Sequence, residues 1–469
     1  MSDMDALPTG TRQKALALNL DKAKYGNIAE IGAGQEVARW FFLVGGAAGT
    51  VAKSTSAYDM AVSDAIYGPA KRYVSRERLQ AMLEHEFTQV VDRLGPARGD
   101  ATAFFAFADT VATRSYSHHE DGRGWVGIRF QTRPREAPSD VIVHVNLKDT
   151  SATRQQEALG VLGVNLIHAA FFRHGEPGAL IGSLMDELSR ERIEVDMIKL
   201  AGPAFGGVDN RLMSLQLVEQ GLTDAAMFTA AGEVVQPSEV FYKKPILVER
   251  GTFRPVTKLT LDLLEGARSQ FLGDPAVKGQ EPVVLMEMTL SGLGEGAKVD
   301  HVDFLARADI LGVLGYDVLI SRFDAYYHMA DYLAAYTDRP IAIAAGLPSI
   351  QAIADERYYA DLAGGTLESV GRLFKRSVKF YVYPALDPAS GRVFTIETLP
   401  VEAVWRHLRD YLLESGHLVP IRRFDERLLS IFTKDVLARM QSGDPAWVTM
   451  VPPVVAETIK QKRLFGVRS

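Results

Sequence analysis

The sequence has no cysteine among its 469 residues. Disulfide bonds, thiolate metal sites and cysteine nucleophiles are therefore excluded together. A large excess of charge is also missing, because 52 basic and 58 acidic residues give a formal net charge of only -6. Neither a nucleic acid nor a membrane surface is favoured as an electrostatic partner. The expected partner is a small molecule or another protein.

The sequence shows neither an export signal nor a long apolar run. Its first twenty residues, MSDMDALPTGTRQKALALNL, carry acidic residues and a proline where a signal peptide needs a basic start and an apolar stretch. The longest apolar runs, such as residues 341–347, are far shorter than the roughly 18–20 residues that a membrane-spanning helix needs. We therefore expect a cytoplasmic protein that does not cross a membrane.

Hydrophobic residues make up 47% of the chain, enough for a large core in two or three domains. Residues 1–150 combine a Gly-rich stretch, a long amphipathic helix and three strands, the last two of which could pair as a hairpin. In residues 151–360 short apolar strands alternate with helices, which is typical of a doubly wound, mostly parallel sheet. Residues 361–469 predict a strand, a hairpin-like turn and helices that cap the core or form a homo-oligomer. The predicted fold class is α/β.

Loops that follow strands are the first places to look for a ligand, because ligands of open parallel sheets bind at the carboxyl ends of strands. The segment PILVERGTFRPVTKLTLDLLEGA lies in such a place. Gly251, Phe253 and Pro255 form a tight loop after a predicted strand, and an amphipathic helix begins near Thr257. These four residues resemble the first signature of the nucleotidyltransferase superfamily, G-x-F-x-P followed by a (Thr or His)-x-Gly-His box. That superfamily includes the nicotinamide mononucleotide and nicotinate mononucleotide adenylyltransferases.

Two positions depart from the pattern of that family. Leu259 and Thr260 stand where the box has its glycine and its closing histidine, the residue that binds nucleotide phosphates in the family. Lys258 and Arg254 are nearby cations that could compensate, although lysine is a point charge without imidazole geometry. The second family signature, a Ser/Thr-rich helix start that ends in arginine, has only a reduced counterpart, which ends at Arg322.

The resemblance implies adenylyl transfer from ATP to a pyridine mononucleotide, with Mg²⁺ bridging the phosphates. The catalytic roles of the family correspond to Thr257, Lys258 and Arg322. Its nucleotide-binding loop corresponds to Gly251, Thr252, Phe253, Arg254 and Thr260. Two alternatives stay open: the chain could be a non-catalytic nucleotide-binding sensor or scaffold, or GTFRPVT could be an ordinary turn in which Thr257 caps the helix.

A second strand-to-helix loop contains candidate ligand contacts. It follows the predicted strand VDMIKLA and carries Gly206, Gly207, Asp209, Asn210 and Arg211. A cap on the following helix, provided by Asp209 or Asn210, would explain the same residues.

The Gly-rich stretch that begins at Gly45 offers a third place. Lys53 and Ser54 follow glycines there, but Ala52 stands where a Walker phosphate loop needs glycine. A looser backbone nest with Lys53 as counter-charge stays open, as does a flexible loop or a packed helix. An unrelated α/β enzyme, with its site here or in the 206–211 loop, is therefore the third functional alternative.

Other polar groups have two interpretations each. A substrate-facing wall or a solvated helix face would explain the dense polar residues near the Gly-rich stretch, which are Glu30, Glu36, Arg39, Tyr58, Asp59 and Asp64. The run 118–121, HHED, is expected to be a solvated turn rather than a metal site. His144 and His168, among apolar neighbours, are expected to be hydrogen-bonded structural histidines. No resident metal is predicted.

Overall fold

The structure is a computed structural model that describes residues 7–114, 122–295, 298–353, 359, 362–375 and 377–468. The chain forms two compact units that divide between Asp224 and Ala225. Each unit contains a β-sheet with flanking helices, so the predicted α/β fold class is confirmed. The domain boundaries expected near residues 150 and 360 do not coincide with this division, because strand pairing crosses both positions.

The first unit contains one six-stranded sheet with the order β2-β1-β3-β4-β5-β6. Its strands are β1 (Lys24–Ile31), β2 (Val51–Thr55), β3 (Ala103–Ala112), β4 (Gly122–Phe130), β5 (Ser139–Leu147) and β6 (Ile193–Ala201). β1 is parallel to both β2 and β3, whereas β3 to β6 are antiparallel neighbours. The predicted hairpin is the pair β4–β5 and is confirmed. The strands β1 and β2 correct the expectation that this early region is only Gly-rich and helical.

Helices cover both faces of the first sheet. They are α1 (Thr11–Leu20), α2 (Glu36–Val44), α3 (Met60–Tyr67), α4 (Arg76–Arg98), α5 (Ala152–Phe172), α6 (Pro177–Ser183) and α7 (Asn210–Glu219). Neighbouring residues of β3 point to opposite faces: Phe105 packs edge-on against Phe171 of α5, whereas Phe104 packs with Phe87 of α4. The alternation follows from the two-residue period of a strand.

The second unit contains the mostly parallel sheet, with the order β18-β15-β14-β9-β10-β13-β7-β8. Its strands are β7 (Ala225–Phe228), β8 (Val234–Val235), β9 (Ile246–Arg250), β10 (Val283–Thr289), β13 (Asp317–Ser321), β14 (Ile341–Gly346), β15 (Val378–Tyr383) and β18 (Leu418–Pro420). All neighbours from β18 to β13 are parallel, whereas β7 is antiparallel to both of its neighbours, β13 and β8. Two small hairpins lie outside this sheet: β11 (Gly294–Glu295) with β12 (Lys298–Val299), and β16 (Ala385–Leu386) with β17 (Val393–Phe394).

The helices of the second unit are α8 (Pro237–Phe241), α9 (Lys258–Leu272), α10 (His301–Val313), α11 (Tyr326–Ala334), α12 (Leu347–Ile353), α13 (Gly365–Leu373), α14 (Ala403–Glu414), α15 (Thr433–Ser442), α16 (Trp447–Met450) and α17 (Pro453–Lys462). They lie on both faces of the sheet. Tyr381 meets Phe271 of α9 at a ring distance of 6.0 Å, whereas its neighbour Phe380 meets Tyr326 of α11 at 5.3 Å. The predicted doubly wound sheet is therefore present, and the hairpin-like turn is β16–β17.

The location of the doubly wound sheet differs from the prediction. It extends from β7 to β18 and not over residues 151–360. The helices α5 to α7 and the strand β6, expected in that core, belong to the first unit, because β6 pairs antiparallel with β5 along its whole length. The segment after 361, expected to be a cap, contributes two strands of the main sheet, β15 and β18.

A glycine allows two helices of the first unit to pack closely. A Cβ added at Gly163 of α5 would lie 2.3 Å from a methyl carbon of Val37 in α2 and 3.0 Å from the ring of Phe107. We expect Gly163→Ala to destabilise the protein by about 1–3 kcal/mol because the core has no room. Gly371→Ala is the control: this glycine of α13 has no atom within 4 Å of the added Cβ, so the change should be neutral or stabilise by up to about 1 kcal/mol. Urea unfolding measures both, and equal effects would contradict the packing account.

Candidate functional site

The order of strands in the second sheet reverses at β9. From β9 the chain passes through α9 and α10 to β10 and β13 on one side, and then returns to β14 on the other side. Loops that leave the two sides of such a reversal diverge, and a crevice opens at the carboxyl ends of the strands. The loop that follows β9 at this point is Gly251–Thr257, the GTFRPVT segment.

The loop turns tightly as it leaves the sheet. The amide of Gly251 donates a hydrogen bond to the carbonyl oxygen of Glu287 on β10 at 3.1 Å. A Cβ at Gly251 would lie 2.7 Å from the ring of Phe253, which is buried and has a positive φ of 51°. Thr252 between them is exposed. Glycine and the buried phenyl ring therefore shape the loop, as the sequence predicts, and leave the backbone of Thr252 at its surface.

Thr257 is the N-cap of α9. Its hydroxyl accepts the amide of Thr260 at 3.2 Å, and the hydroxyl of Thr260 accepts the amide of Thr257 at 3.3 Å, which is a capping box. Thr257 is only 1% exposed. We therefore assign the Thr257 side chain to the helix cap rather than to direct contact with a phosphate. The half-exposed Lys258 follows at the first helical position, where the positive end of the helix dipole favours an anion.

A pair of arginines and one aspartate hold the loop against α10. Arg254 lies 2.6 Å from Asp303, between its Nε and Oδ1. Arg307 donates from its Nε to Oδ2 of the same carboxylate at 2.6 Å. Its Nη1 also donates to the carbonyl oxygens of Thr252 at 3.0 Å and Gly292 at 2.7 Å. One buried guanidinium thus ties the loop after β9 to the loop after β10.

A second buried ion pair connects the strand ends on the other face. Arg250 donates to both carboxylate oxygens of Glu287, at 2.8 and 3.0 Å, and Glu287 is fully buried. Ser321 donates to Glu287 at 2.6 Å, and Arg250 also reaches the carbonyl oxygen of Asp324 at 3.2 Å. The guanidinium stacks 4.4 Å from the ring centre of Tyr326. Arg250 therefore fixes the loop after β13.

Arg322 is the first residue of that loop and is exposed. Its strand β13 is separated from β9 by β10, which places the backbone of Arg322 roughly 10 Å from the end of β9 at about 4.8 Å per strand. The structure thus gathers the predicted residues 251–260 and Arg322 along one edge of the sheet.

Glu249 lies one residue before Arg250, on the face of α9. It is 5% exposed, and its Oε2 has no hydrogen-bond partner among the described residues. Burial raises the pKa of Glu249 well above its usual range. Burial thus disfavours a negative charge behind the loop, where such a charge would oppose an anion.

The 206–211 loop lies in the first unit, after the antiparallel strand β6. Asp209 caps α7 by accepting the amide of Arg211 at 2.9 Å and also pairs with the Arg211 guanidinium. Asn210 bonds both the amide and the carbonyl oxygen of Leu200, at 2.8 and 3.0 Å. Gly206 and Gly207 shape the turn before the cap. The capping alternative explains these polar side chains.

Lys53 and Ser54 are not in a loop but in the strand β2. The ammonium of Lys53 lies 2.6 Å from a carboxylate oxygen of the fully buried Glu86, which Tyr67 and Asn27 also bond at 2.9 Å each. Lys53 therefore neutralises a buried internal charge, and the strand replaces the flexible loop or packed helix that the sequence left open beside a ligand-binding nest. The Ser54 hydroxyl is buried and has no hydrogen-bond partner in the part of the chain that the structure describes.

The first sheet carries a pair of carboxylates at its own reversal of strand order, where β1 lies between β2 and β3. Glu30 and Asp109 are directly opposite each other on the parallel strands β1 and β3. Both are buried, at 1% and 0% exposure. Glu30 accepts the amides of Val37 and Ala38 of α2 at 2.8 and 3.1 Å. Among the described residues, Asp109 accepts the amide of Ile31 at 3.2 Å, and its Oδ2 has no partner.

Burial dominates the titration of this carboxylate pair. It raises the pKa of Glu30 to about 7, even though two amides of α2 and a third from Glu36 oppose the shift. Burial, and then the charge of Glu30, raise the pKa of Asp109. Burial and their mutual repulsion therefore disfavour the state in which both carboxyl groups are ionised. Of the polar residues noted in this region, Glu30 is thus part of a buried network, whereas Tyr58 is exposed and its hydroxyl accepts the amide of Gly34 at 3.2 Å.

The two histidines that the sequence predicts to be structural, His144 and His168, differ in their hydrogen bonding. His144 is a hydrogen-bonded structural histidine, as expected, with its Nδ1 2.7 Å from Oδ1 of Asp196. His168 is buried as expected, but neither ring nitrogen has a hydrogen-bond partner among the residues that the structure describes. Burial, and then the charge of Lys14, lower its pKa to about 4, so the ring is neutral at pH 7. The run 118–121 lies outside the described residues.

Sequence reasoning missed the groups that fix the site: Arg250, Glu287 and Arg307. The signal available for the first two was a charged residue inside an apolar strand, as in ILVER and VVLMEMT. Such a residue must be paired when it is buried. Arg307 follows Asp303 by four residues on α10, which predicts a local helix pair but not the contact with Thr252.

Comparisons with known proteins return little similarity. No protein-family model matches the chain, and no curated protein matches it. Among solved structures, the chain is similar to the competence/damage inducible protein CihA from Agrobacterium tumefaciens. The identity is 16%, the TM-score is 0.26, and the match covers 35% of this chain and 98% of that chain. A similarity of this size carries no functional argument.

Two features are absent from the described residues. In that part of the chain, no helix has both the length and the apolar character needed to cross a membrane. The same residues contain no group of three or more metal-binding side chains of the His, Asp or Glu type.

The buried pair Arg250–Glu287 predicts a large effect of one substitution. Glu287→Gln should lower the free energy of unfolding by about 3–5 kcal/mol, because the buried guanidinium loses its counter-charge. Glu397→Gln is the matched control, since Glu397 makes the same two-oxygen contact with Arg422 at 2.8 Å on the surface. We expect less than about 1 kcal/mol there. Urea unfolding compares the two, and similar losses would contradict the buried role of Glu287.

The carboxylate pair predicts a pH dependence. The pKa of Glu30 is about 7 in the folded protein and 4.5 as the ordinary value, so the folded state holds the proton more tightly. The contribution of Glu30 to the free energy of unfolding is therefore largest below pH 4.5. It decreases as the pH rises towards 7 and changes little above pH 7. Glu30→Gln should reduce this fall, on the order of 1–3 kcal/mol. Urea midpoints from pH 5 to 7 measure it, with Glu77→Gln, an exposed residue of α4, as the control. An unchanged slope in Glu30→Gln would rule out the raised pKa.

Proposed function

We propose that this chain is a nucleotidyltransferase-like protein that binds ATP at the carboxyl end of β9 and transfers its adenylyl group to a pyridine mononucleotide. One observation carries the proposal: the loop that resembles the nucleotidyltransferase signature follows the strand at which the sheet order reverses. Four signature positions match within this seven-residue loop. The match depends on residue identity, whereas the reversal of strand order depends on strand pairing.

The residues have separate roles in this proposal. Gly251 and Phe253 shape the loop, and Thr257 with Thr260 fixes the first turn of α9. Backbone amides of that turn and the ammonium of Lys258 then face the phosphates. Arg322 approaches from the end of β13 and neutralises the leaving pyrophosphate.

Mg²⁺ enters with the nucleotide in this scheme, held by phosphate oxygens. The carboxylates closest to the loop already have partners, since Asp303 bonds Arg307 and Glu287 bonds Arg250. The metal therefore neutralises the phosphates together with the cations of the loop.

A non-catalytic sensor is the second candidate, and a specific observation favours it. Thr260 stands where the family has its histidine, and its hydroxyl is part of the capping box. A residue that completes a helix cap stabilises the loop without supplying an acid or a cation. The same crevice would then bind a nucleotide without catalysing transfer.

A site in the first unit is the third candidate. Glu30 and Asp109 lie at the reversal of that sheet, where a carboxyl group with its pKa raised to about 7 can serve acid–base chemistry. This candidate predicts a reaction that needs no triphosphate and that Glu30→Gln abolishes.

The test of the leading proposal is a pyrophosphate-release assay with ATP, Mg²⁺ and nicotinamide mononucleotide. We expect release by the full chain and a decrease of about 10- to 100-fold in Lys258→Ala. Lys278→Ala is the control, because Lys278 is exposed and lies beyond the far end of α9, at the amino edge of the sheet.

The outcomes separate the three candidates. Release of pyrophosphate that depends on Lys258 supports the transferase. A melting temperature raised by ATP, without release, supports the sensor. If no nucleotide changes the melting temperature, both nucleotide proposals are wrong and the site of the first unit is the one to pursue.

A further inference from the structure

The loop after β9 contains a cation that is paired with a carboxylate but can exchange this partner for another anion. We propose that Arg254 is the phosphate-binding side chain of this loop and that an arriving phosphate takes its guanidinium from Asp303, which keeps Arg307 as its partner. The inference rests on the proposed function, because it names the residue that contacts the phosphates of the nucleotide. It assigns to Arg254 the charge that the family's histidine would have supplied.

The charges of the cluster leave one cation in excess. Arg254 and Arg307 both contact the single carboxylate of Asp303, one on each oxygen. Two positive groups on one negative group attract a further anion, and a partly buried place strengthens that attraction relative to water. Asp300, three residues before Asp303, is the N-cap of α10, where it accepts the amides of Val302 and Asp303 at 3.0 Å each, and its negative charge acts on the buried Arg307.

The two arginines are not equivalent. The side chain of Arg307 is 4% exposed and donates to two backbone carbonyls besides Asp303. It is a structural cation that cannot turn towards a ligand without breaking those bonds. The side chain of Arg254 is 35% exposed, and although its Nε lies 2.6 Å from Asp303, that nitrogen makes no aligned hydrogen bond. Arg254 is therefore the member that can leave.

The departure of Arg254 does not leave a buried charge unpaired. Asp303 is 7% exposed and would be strongly destabilising without a partner. After the exchange it still accepts from the Nε of Arg307 at 2.6 Å and keeps the contact with Nη2 of that residue. The exchange thus replaces the Arg254–Asp303 pair by a pair between Arg254 and the phosphate. The buried pair between Asp303 and Arg307 remains.

The chemistry of a guanidinium defines the ligand. Its planar donors match two oxygens of a phosphate at once, which an ammonium cannot do. Arg254 precedes the first turn of α9 by only three residues, so a phosphate there also meets the positive end of that helix. The expected ligand is the polyphosphate part of a nucleoside triphosphate, and inorganic pyrophosphate is the simplest probe of it.

The experiment is calorimetric titration of the full chain and its variants with ATP–Mg²⁺, with inorganic pyrophosphate and with adenosine. We expect Arg254→Ala to weaken ATP and pyrophosphate binding by about tenfold or more and to leave adenosine binding unchanged. Arg254→Lys should restore only part of the loss. Arg268→Ala is the matched control, because Arg268 lies on α9 with a 42% exposed side chain and should bind as the unchanged chain does.

A second variant tests the exchange itself. Asp303→Asn removes the competitor for Arg254, so a protein that remains folded by circular dichroism should bind pyrophosphate as tightly as before or severalfold more tightly. Weaker binding by a folded Asp303→Asn protein would contradict the exchange. Binding of ATP by Arg254→Ala at the affinity of the unchanged chain would overturn the role of Arg254 alone. Absence of ATP and pyrophosphate binding by the unchanged chain would overturn the proposed function as well.

Discussion

The second unit depends on one topological constraint, the position of β9 at the reversal of strand order. Right-handed connections require the helices that lead to one side of a central strand to lie on one face and those that lead to the other side to lie on the opposite face. α9 and α10 precede β10 and β13, whereas α11 to α13 connect β13, β14 and β15. The loops on the two sides of β9 therefore leave the sheet in opposite directions. The end of β9 is therefore the place where open parallel sheets bind ligands.

Buried ion pairs determine which charged side chains remain exposed at this end of the sheet. Glu287 holds Arg250, and through it the loop after β13, while Asp303 and Arg307 hold the loop after β9. Glu287 and Asp303 are each satisfied by a guanidinium, and burial disfavours a charge on Glu249. The cations at this end of the sheet are Lys258, Arg322 and Arg254. The first unit shows the opposite arrangement, since two buried carboxyl groups lie opposite each other at its reversal.

Local sequence patterns predicted much of this fold, but they did not predict the pairing of strands and charges that are distant in sequence. The alternation of short apolar strands with helices predicted an α/β class, and Gly251 and Pro255 located a loop after a strand. The strand β1 was missed because KYGNIAEI mixes polar and apolar residues, which hides a strand buried on both faces. The division after Asp224 was missed because the antiparallel pairing of β6 depends on a strand about 50 residues earlier. The hydrogen bonds of the site join residues up to 74 positions apart, so no local spacing contains them.

The most direct measurement is hydrogen–deuterium exchange of the full chain with and without ATP and Mg²⁺. The account predicts slower exchange of backbone amides in the peptides that cover residues 251–260 and 322–325, because phosphates would contact the first turn of α9 and the loop after β13. Slower exchange confined to residues 31–38 in the first unit, with residues 251–260 unchanged, would contradict it.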